Sequence, residues 1–253
     1  MAAAGSTPRA SAVPKRKKKA ARRAKPGERA AALVLADAER GDLIAGADEA
    51  GRGCLAGPLV AAAVLIEPVR LMELLEFDES KKKLPPRMPG GLERLDDSKR
   101  VPKELRPTVA AAVLEQAVHV AVVVRSAATV DREGLHRSNV AMLGEALDRV
   151  LVPGAIGLTD GFAAPLADGA LSERVIGGDR SSAAIAAASI IAKTVRDQLM
   201  RGAAHQRWPE HGFDEHVGYA TPTHHNAIRS AGITSIHRRS FASVAYQDVL
   251  DFG

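Results

Sequence analysis

The sequence predicts an α/β layered domain, a mixed sheet with helices interleaved along the chain. Two patterns carry that expectation. Short runs of small aliphatic residues, such as Leu43–Ala47 and Leu59–Ile66, alternate with longer stretches whose apolar residues recur at helical spacing, such as Ser182–Gly202. Three of the short runs also end in acid, at Asp48-Glu49, Asp160 and Asp179, and pockets in α/β folds form beyond strand ends. Aromatic residues are only 3% of the chain, so the core has to be aliphatic and rich in alanine.

The elements follow in order. Residues 1–40 read as a basic tail, with a short helix over 30–40 leading into the domain. Residues 1–29 hold ten Lys or Arg against Glu28, which leaves the rest of a +5 chain at −4. A run such as Lys15-Arg16-Lys17-Lys18-Lys19 buries no apolar surface, which predicts disorder and either a polyanion tether or a solvated leader. Leu43–Ala47 and Leu59–Ile66 predict a hairpin. Residues 67–94, with Lys81-Lys82-Lys83, Pro85-Pro86 and Gly90-Gly91, read as a loop insertion with a helical turn near Leu71–Leu75. A helix runs from Pro102 toward Gln116, with Asp97 or Ser98 as its cap. His119–Arg125 predicts a buried strand and Val130–Leu151 a single helix. Ile156–Thr159 and Arg174–Ile176 predict short strands. Ser182–Gly202, Pro222–Ala231 and Ser240–Leu250 predict helices.

Several classes are excluded. No apolar run is long enough to cross a bilayer, and no signal peptide opens the chain. The lone Cys54 permits no internal disulfide, which suits a reducing cytoplasm, and with no base beside it Cys54 reads as a small buried residue. His205, His211 and His216 are scattered and His224-His225 adjacent, so none has zinc spacing.

The chemistry lies in the acids. Strand side chains alternate between faces, so Asp48 and Glu49 reach one metal only if the strand ends or bulges there. Gly51 and Gly53 permit such a turn. Four carboxylates gathered at strand ends would repel one another without cations between them. Hard oxygen donors suit Mg2+ or Mn2+, and two such ions about 4 Å apart serve phosphodiester cleavage. Asp197, between Arg196 and Gln198, is a rival fourth acid that reads better as half of a surface salt bridge.

Asp48-Glu49-Ala50-Gly51-Arg52-Gly53, Asp97-Ser98-Lys99, Asp160-Gly161, Gly178-Asp179, Ala186–Lys193 with Arg196-Asp197, Gly218-Tyr219-Ala220-Thr221 and Ile236–Phe241 occur in that order. From about residue 43 to 245 the chain resembles bacterial ribonuclease HII. The resemblance implies a ribonuclease H-like mixed five-stranded sheet flanked by helices, with a catalytic domain over 41–203 and a C-terminal helical extension over 204–253. It implies that Asp48, Glu49, Asp160 and Asp179 are metal-binding catalytic residues for two Mn2+ or Mg2+ ions. Gly51, Arg52 and Gly53 would contact the ribonucleotide and its 2′-hydroxyl, Tyr219 would stack on the following deoxyribose, and Ser98 and Lys99 would touch the nucleic-acid backbone. The implied activity is an endoribonuclease, working as a monomer away from membranes, that cleaves RNA–DNA hybrids and cuts 5′ of single ribonucleotides in duplex DNA. A catalytically inactive nucleic-acid-binding protein of the same fold is the alternative, and clustered negative charge near phosphates speaks against it. Val217 stands where the family usually has lysine, the 67–94 segment is long, and the basic tail is extra.

Overall fold

The computed structural model describes residues 26–74, 91–241, 243, 244 and 246. Helix α1 (Pro26–Ala38) leads into β1 (Ile44–Ala50) and β2 (Leu59–Ile66). After α2 (Pro68–Leu74) come α3 (Arg106–Gln116), β3 (His119–Arg125), α4 (Ala127–Glu133), α5 (Leu135–Asp148), β4 (Ile156–Asp160), β5 (Glu173–Val175) and α6 (Ala183–Leu199). Short helices α7 (His205–Arg207) and α8 (Phe213–His216) precede α9 (Pro222–Ala231). The sheet is five-stranded and mixed, in the order β3-β2-β1-β4-β5. β1 runs antiparallel to β2 and parallel to β4.

Alternation along β2 divides the core into two layers. Val60, Ala62, Val64 and Ile66 pack against α1, α3 and α6, while Leu59, Ala61, Ala63 and Leu65 pack against α4 and α5. A strand covered on both faces has no polar position, and β2 has none. Gly46 lets α6 lie directly on β1, since a Cβ there would stand 2.2 Å from the Ile185 amide nitrogen. Ile185 and Ile190 of α6 are fully buried in this layer, each burial worth about 1.5–3 kcal/mol.

Several expectations change. The described residues begin inside the segment read as tail: α1 starts at Pro26 and buries Ala30, Leu33 and Val34 against the domain. Its buried Asp37 accepts hydrogen bonds from Ser182 Oγ (3.0 Å) and the Ala184 amide (2.9 Å) at the start of α6. The helix expected over 130–151 breaks at Gly134, where φ is 84°, giving α4 and α5. β3 is an edge strand with Val124 45% exposed, not a buried one. Asp97 caps its own turn by accepting from the Lys99 amide at 2.8 Å, while α3 starts without a side-chain cap. Asp197 is paired as expected but not at the surface: it is 8% exposed, 2.6 Å from Lys193 Nζ and 3.6 Å from Arg106. The basic run 15–25, residues 75–90 of the insertion and most of the expected helix Ser240–Leu250 lie outside the described residues.

Candidate active site

Asp48 and Glu49 sit near the end of β1 in regular pairing with β2, opposite Ala62 and Ala61, so the strand neither ends nor bulges at them. The opening arises on the other side. The β1–β4 ladder stops at Ala47–Thr159, and Asp160 ends β4 one residue beyond. Both carboxylates of the adjacent pair therefore reach one cleft past the edge of the ladder. Asp179 does not terminate a strand. It lies in a 3-10 turn, Gly178–Arg180, entered through left-handed Gly177 and leading into the Ser182 cap of α6.

A cleft of about 360 Å³ is lined by Asp48, Glu49, Asp160 and Asp179 together with Gly51, Arg52, Gly53, Ser98, Lys99 and Tyr219. The candidate residues that the resemblance implies all line this cleft, whereas Asp197, Cys54 and Val217 do not. Ser189, Lys193 and Ala50 complete the wall. Ser98 is only 7% exposed and its hydroxyl accepts from Ser189 Oγ at 2.9 Å, so it is a packed wall residue more than an open one.

The electrostatics are strained in one direction. The Asp48 carboxyl is pushed up to about 8, first by burial and then by the charge of Glu49, although Ser189 and the Glu49 amide hydrogen-bond to it. Burial also raises Glu49, against the pull of Asn139 and Arg52, and it raises Asp179 with help from Asp97 and Asp160. Arg52 leans on Glu49 at 3.6 Å and lies over the Phe162 ring at 4.8 Å. Asp160 Oδ1 accepts the Gly178 amide at 2.9 Å. Among the described residues no three His, Cys, Asp or Glu side chains stand close enough to hold an ion as they are. Glu49 is instead engaged with Arg52 and Asp160 with the Gly178 amide.

The Gly-Arg-Gly turn is fixed from behind. Gly51 has φ 95°, and a Cβ there would meet Arg196 Nε at 2.1 Å, so only glycine fits. Arg196, fully buried on α6, donates to the carbonyls of Pro58 (3.0 Å), Val217 (2.9 Å) and Ala56 (3.0 Å). The turn is also stitched to the Tyr219 loop, since the Leu55 amide donates to Gly218 at 2.9 Å and Cys54 bridges to Tyr219. Tyr219 is 40% exposed, with Lys193 Nζ 5.0 Å from its ring centre. Val217 adopts left-handed φ 45° and packs into a cluster with Phe213 and Met200, so its side chain serves packing and does not line the cleft. Sequence reasoning assigns no role to Lys193, Ser189 or Phe162. The Ala186–Lys193 stripe places the first two on α6, and Phe162 closely follows Asp160.

A mixed five-stranded sheet with an acid-lined cleft beyond its central strands defines a ribonuclease H-like hydrolase. The fold matches the ribonuclease H2 of Pyrococcus horikoshii OT3, with a TM-score of 0.61 and 20% identity over 83% of this chain and 98% of that one. It also matches Bst-RNase HIII, solved in complex with Mn2+, with a TM-score of 0.60 and 18% identity over 87% of this chain and 73% of that one. Sequence narrows the class. A model of the family Ribonuclease HII matches residues 45–244. The ribonuclease HII of Frankia casuarinae is 40% identical over 202 residues, 80% of this chain and 76% of its own length. That of Geobacillus kaustophilus is 40% identical over 201 residues, 79% and 68%. The chain belongs to the ribonuclease HII family and is an endoribonuclease of the ribonuclease H class. Among the described residues no helix is long and apolar enough to cross a membrane.

Proposed function

We propose that this endoribonuclease hydrolyses RNA in RNA–DNA hybrids and cuts on the 5′ side of single ribonucleotides embedded in duplex DNA, leaving 3′-hydroxyl and 5′-phosphate ends. The observation that carries the reading is the convergence of four carboxylates, the Gly51–Gly53 turn and Tyr219 on one cleft.

The donor set fits a divalent cation. All four acids are hard oxygen ligands, and the raised proton affinities of Asp48, Glu49 and Asp179 mark a site short of positive charge. Asp48, Glu49, Asp160 and Asp179 are the residues that would hold Mg2+ or Mn2+. Bound there, such ions supply charge that offsets the phosphodiester and acidity toward water. The remaining roles belong to the chain. Arg52, steadied by Phe162 and Glu49, and the turn amides orient the ribose and its phosphate. Backbone donors suit a 2′-hydroxyl, the group that separates RNA from DNA. Tyr219, half-open on the facing loop, offers its ring to the next sugar, and Lys99 is exposed where the nucleic-acid backbone would pass. Retention of all four acids supports hydrolysis over binding alone.

The test is direct. The protein is incubated with an end-labelled duplex carrying one ribonucleotide, with Mg2+ or Mn2+, and the cut is mapped. One cut 5′ of the ribose, lost in EDTA, is expected. A cut elsewhere, or none with either ion, refutes the reading.

A further inference from the structure

Arg238 is among the largest fully buried side chains in the molecule. A buried guanidinium is ordinarily matched by a carboxylate, because an unpaired charge is expensive to desolvate. Arg238 instead directs its donors at main-chain carbonyls. Nε and Nη2 both reach Gly57 at 3.1 Å, and Nη1 reaches Arg52 at 3.2 Å. The Phe241 ring lies 5.2 Å from the guanidinium carbon, and the Arg238 amide donates to Leu55 at 2.8 Å. Like Arg196, it is a buried cation directed at carbonyls in and beside the Gly51–Gly57 turn, but it alone of the two reaches the Arg52 carbonyl.

The peptide joining Arg52 to Gly53 is planar and trans, so its C=O and N–H point in opposite directions. Arg238 draws the carbonyl inward. The N–H of Gly53 therefore points away from Arg238; Gly53 lines the cleft, and nothing stands within 4 Å of a Cβ built on it. A peptide whose oxygen already accepts from a cation is also a stronger donor through its nitrogen. We propose that Arg238 is the positioning residue for ribose recognition: by anchoring the Arg52 carbonyl it presents the Gly53 amide as a donor to the 2′-hydroxyl. The proposal rests on the function proposed above and adds a residue that acts through the turn without touching substrate.

The experiment uses the full chain. Affinity for a duplex with one ribonucleotide and for the all-DNA duplex of the same sequence is measured on an Asp48→Asn background, with and without Arg238→Lys. Lysine keeps the charge but lacks the fork that grips two carbonyls. The ratio of the two affinities should shrink about tenfold, the equivalent of one hydrogen bond, while all-DNA affinity barely moves. In the active enzyme, kcat/KM should fall similarly on hybrid and single-ribonucleotide substrates. Guanidinium chloride well below denaturing levels should restore part of the activity of Arg238→Ala, and methylammonium should not. Arg239→Ala, one residue away and exposed, removes the same charge and should leave activity unchanged. If Arg238→Lys melts earlier yet keeps the wild-type ribose preference, Arg238 is structural only and the proposal falls. A wild-type protein with no ribose preference would instead overturn the reading of the turn itself, and the proposal with it.

Discussion

Replacing Asp48 with asparagine should abolish cleavage and strengthen the metal-free fold, and the second effect should grow with pH. Asp48 is 8% exposed and its carboxyl is pushed from 3.8 up to about 8 by burial and then by Glu49. The folded chain therefore holds a proton that the unfolded chain releases once the pH exceeds 3.8. Without metal, wild-type stability from this group drains away as the pH climbs from 3.8 toward 8, and asparagine escapes the loss. At about 1.4 kcal/mol per unit the ceiling near pH 7 is about 4 kcal/mol. Burial raises the neighbouring Glu49 as well and the cleft admits solvent, so a gain of about 2 kcal/mol is expected. Asparagine keeps an oxygen to accept the Glu49 amide, now 2.8 Å from Asp48 Oδ1. The assay is urea unfolding of both proteins in EDTA at pH 4.5, 6 and 7.5, alongside Mg2+-dependent cleavage. The stability gap should be smallest at pH 4.5, about a quarter of its value near pH 7, and widest at 7.5. A gap that narrows as the pH rises, or wild-type turnover by the variant, would refute the reasoning.

Other outcomes follow from the same geometry. Deleting residues 1–25 removes nine Lys or Arg and none of the packing described above, so single-turnover chemistry should survive; every phosphate that the tail no longer neutralises should flatten the log–log salt slope by about 0.9. Deleting 1–40 should lower the melting temperature and activity together, because Ala30, Leu33, Val34 and Asp37 leave with it; equal melting of the two truncations would show α1 to be dispensable. Tyr219→Ala should slow single-ribonucleotide cleavage more than hybrid cleavage, with stacking worth about 1–3 kcal/mol. Arg52→Ala should slow both, and relative rates on the two substrates decide. Burial holds His224 down at about 4 and His237 at about 3. Both stay neutral in the fold while the unfolded chain protonates near 6.5, so their contribution is complete above 6.5 and lost as the pH falls below it. On the Asp48→Asn background, stability should drop by up to about 4 kcal/mol between pH 6.5 and 5; a flat profile would mean these rings are not buried neutral.

The strands and their order were legible because small aliphatic runs admit few other uses, and the cleft was legible because charge cannot sit at the end of such runs without a reason. What remained hidden depended on partners far away in the chain. Nothing near Asp37 says that its carboxylate will meet Ser182, so α1 reads as part of a tail. Gly134 looks like a tolerable glycine until its φ of 84° splits a helix. Taken alone, β1 requires a break at Asp48 and Glu49, since one sequence shows one strand and not the neighbour, β4, that stops early and opens the side. Lys193 and Ser189 lie on an obvious helix, but which of its residues face the cleft is decided by how α6 sits on β1 across Gly46.

The turn at 51–57 is held almost wholly by late-arriving chain. Arg196 reaches Ala56 across 140 residues, Arg238 reaches Arg52 across 186, and Tyr246 donates its hydroxyl to Leu55 across 191. At synthesis rates of about 5–20 residues per second, the hairpin waits many seconds for these partners. A nascent chain, or one cut short by a premature stop, thus carries Asp48 and Glu49 without a formed 51–57 turn. The turn forms as a late step of folding, so newly made protein should gain activity only after Arg196, Arg238 and Tyr246 have left the ribosome.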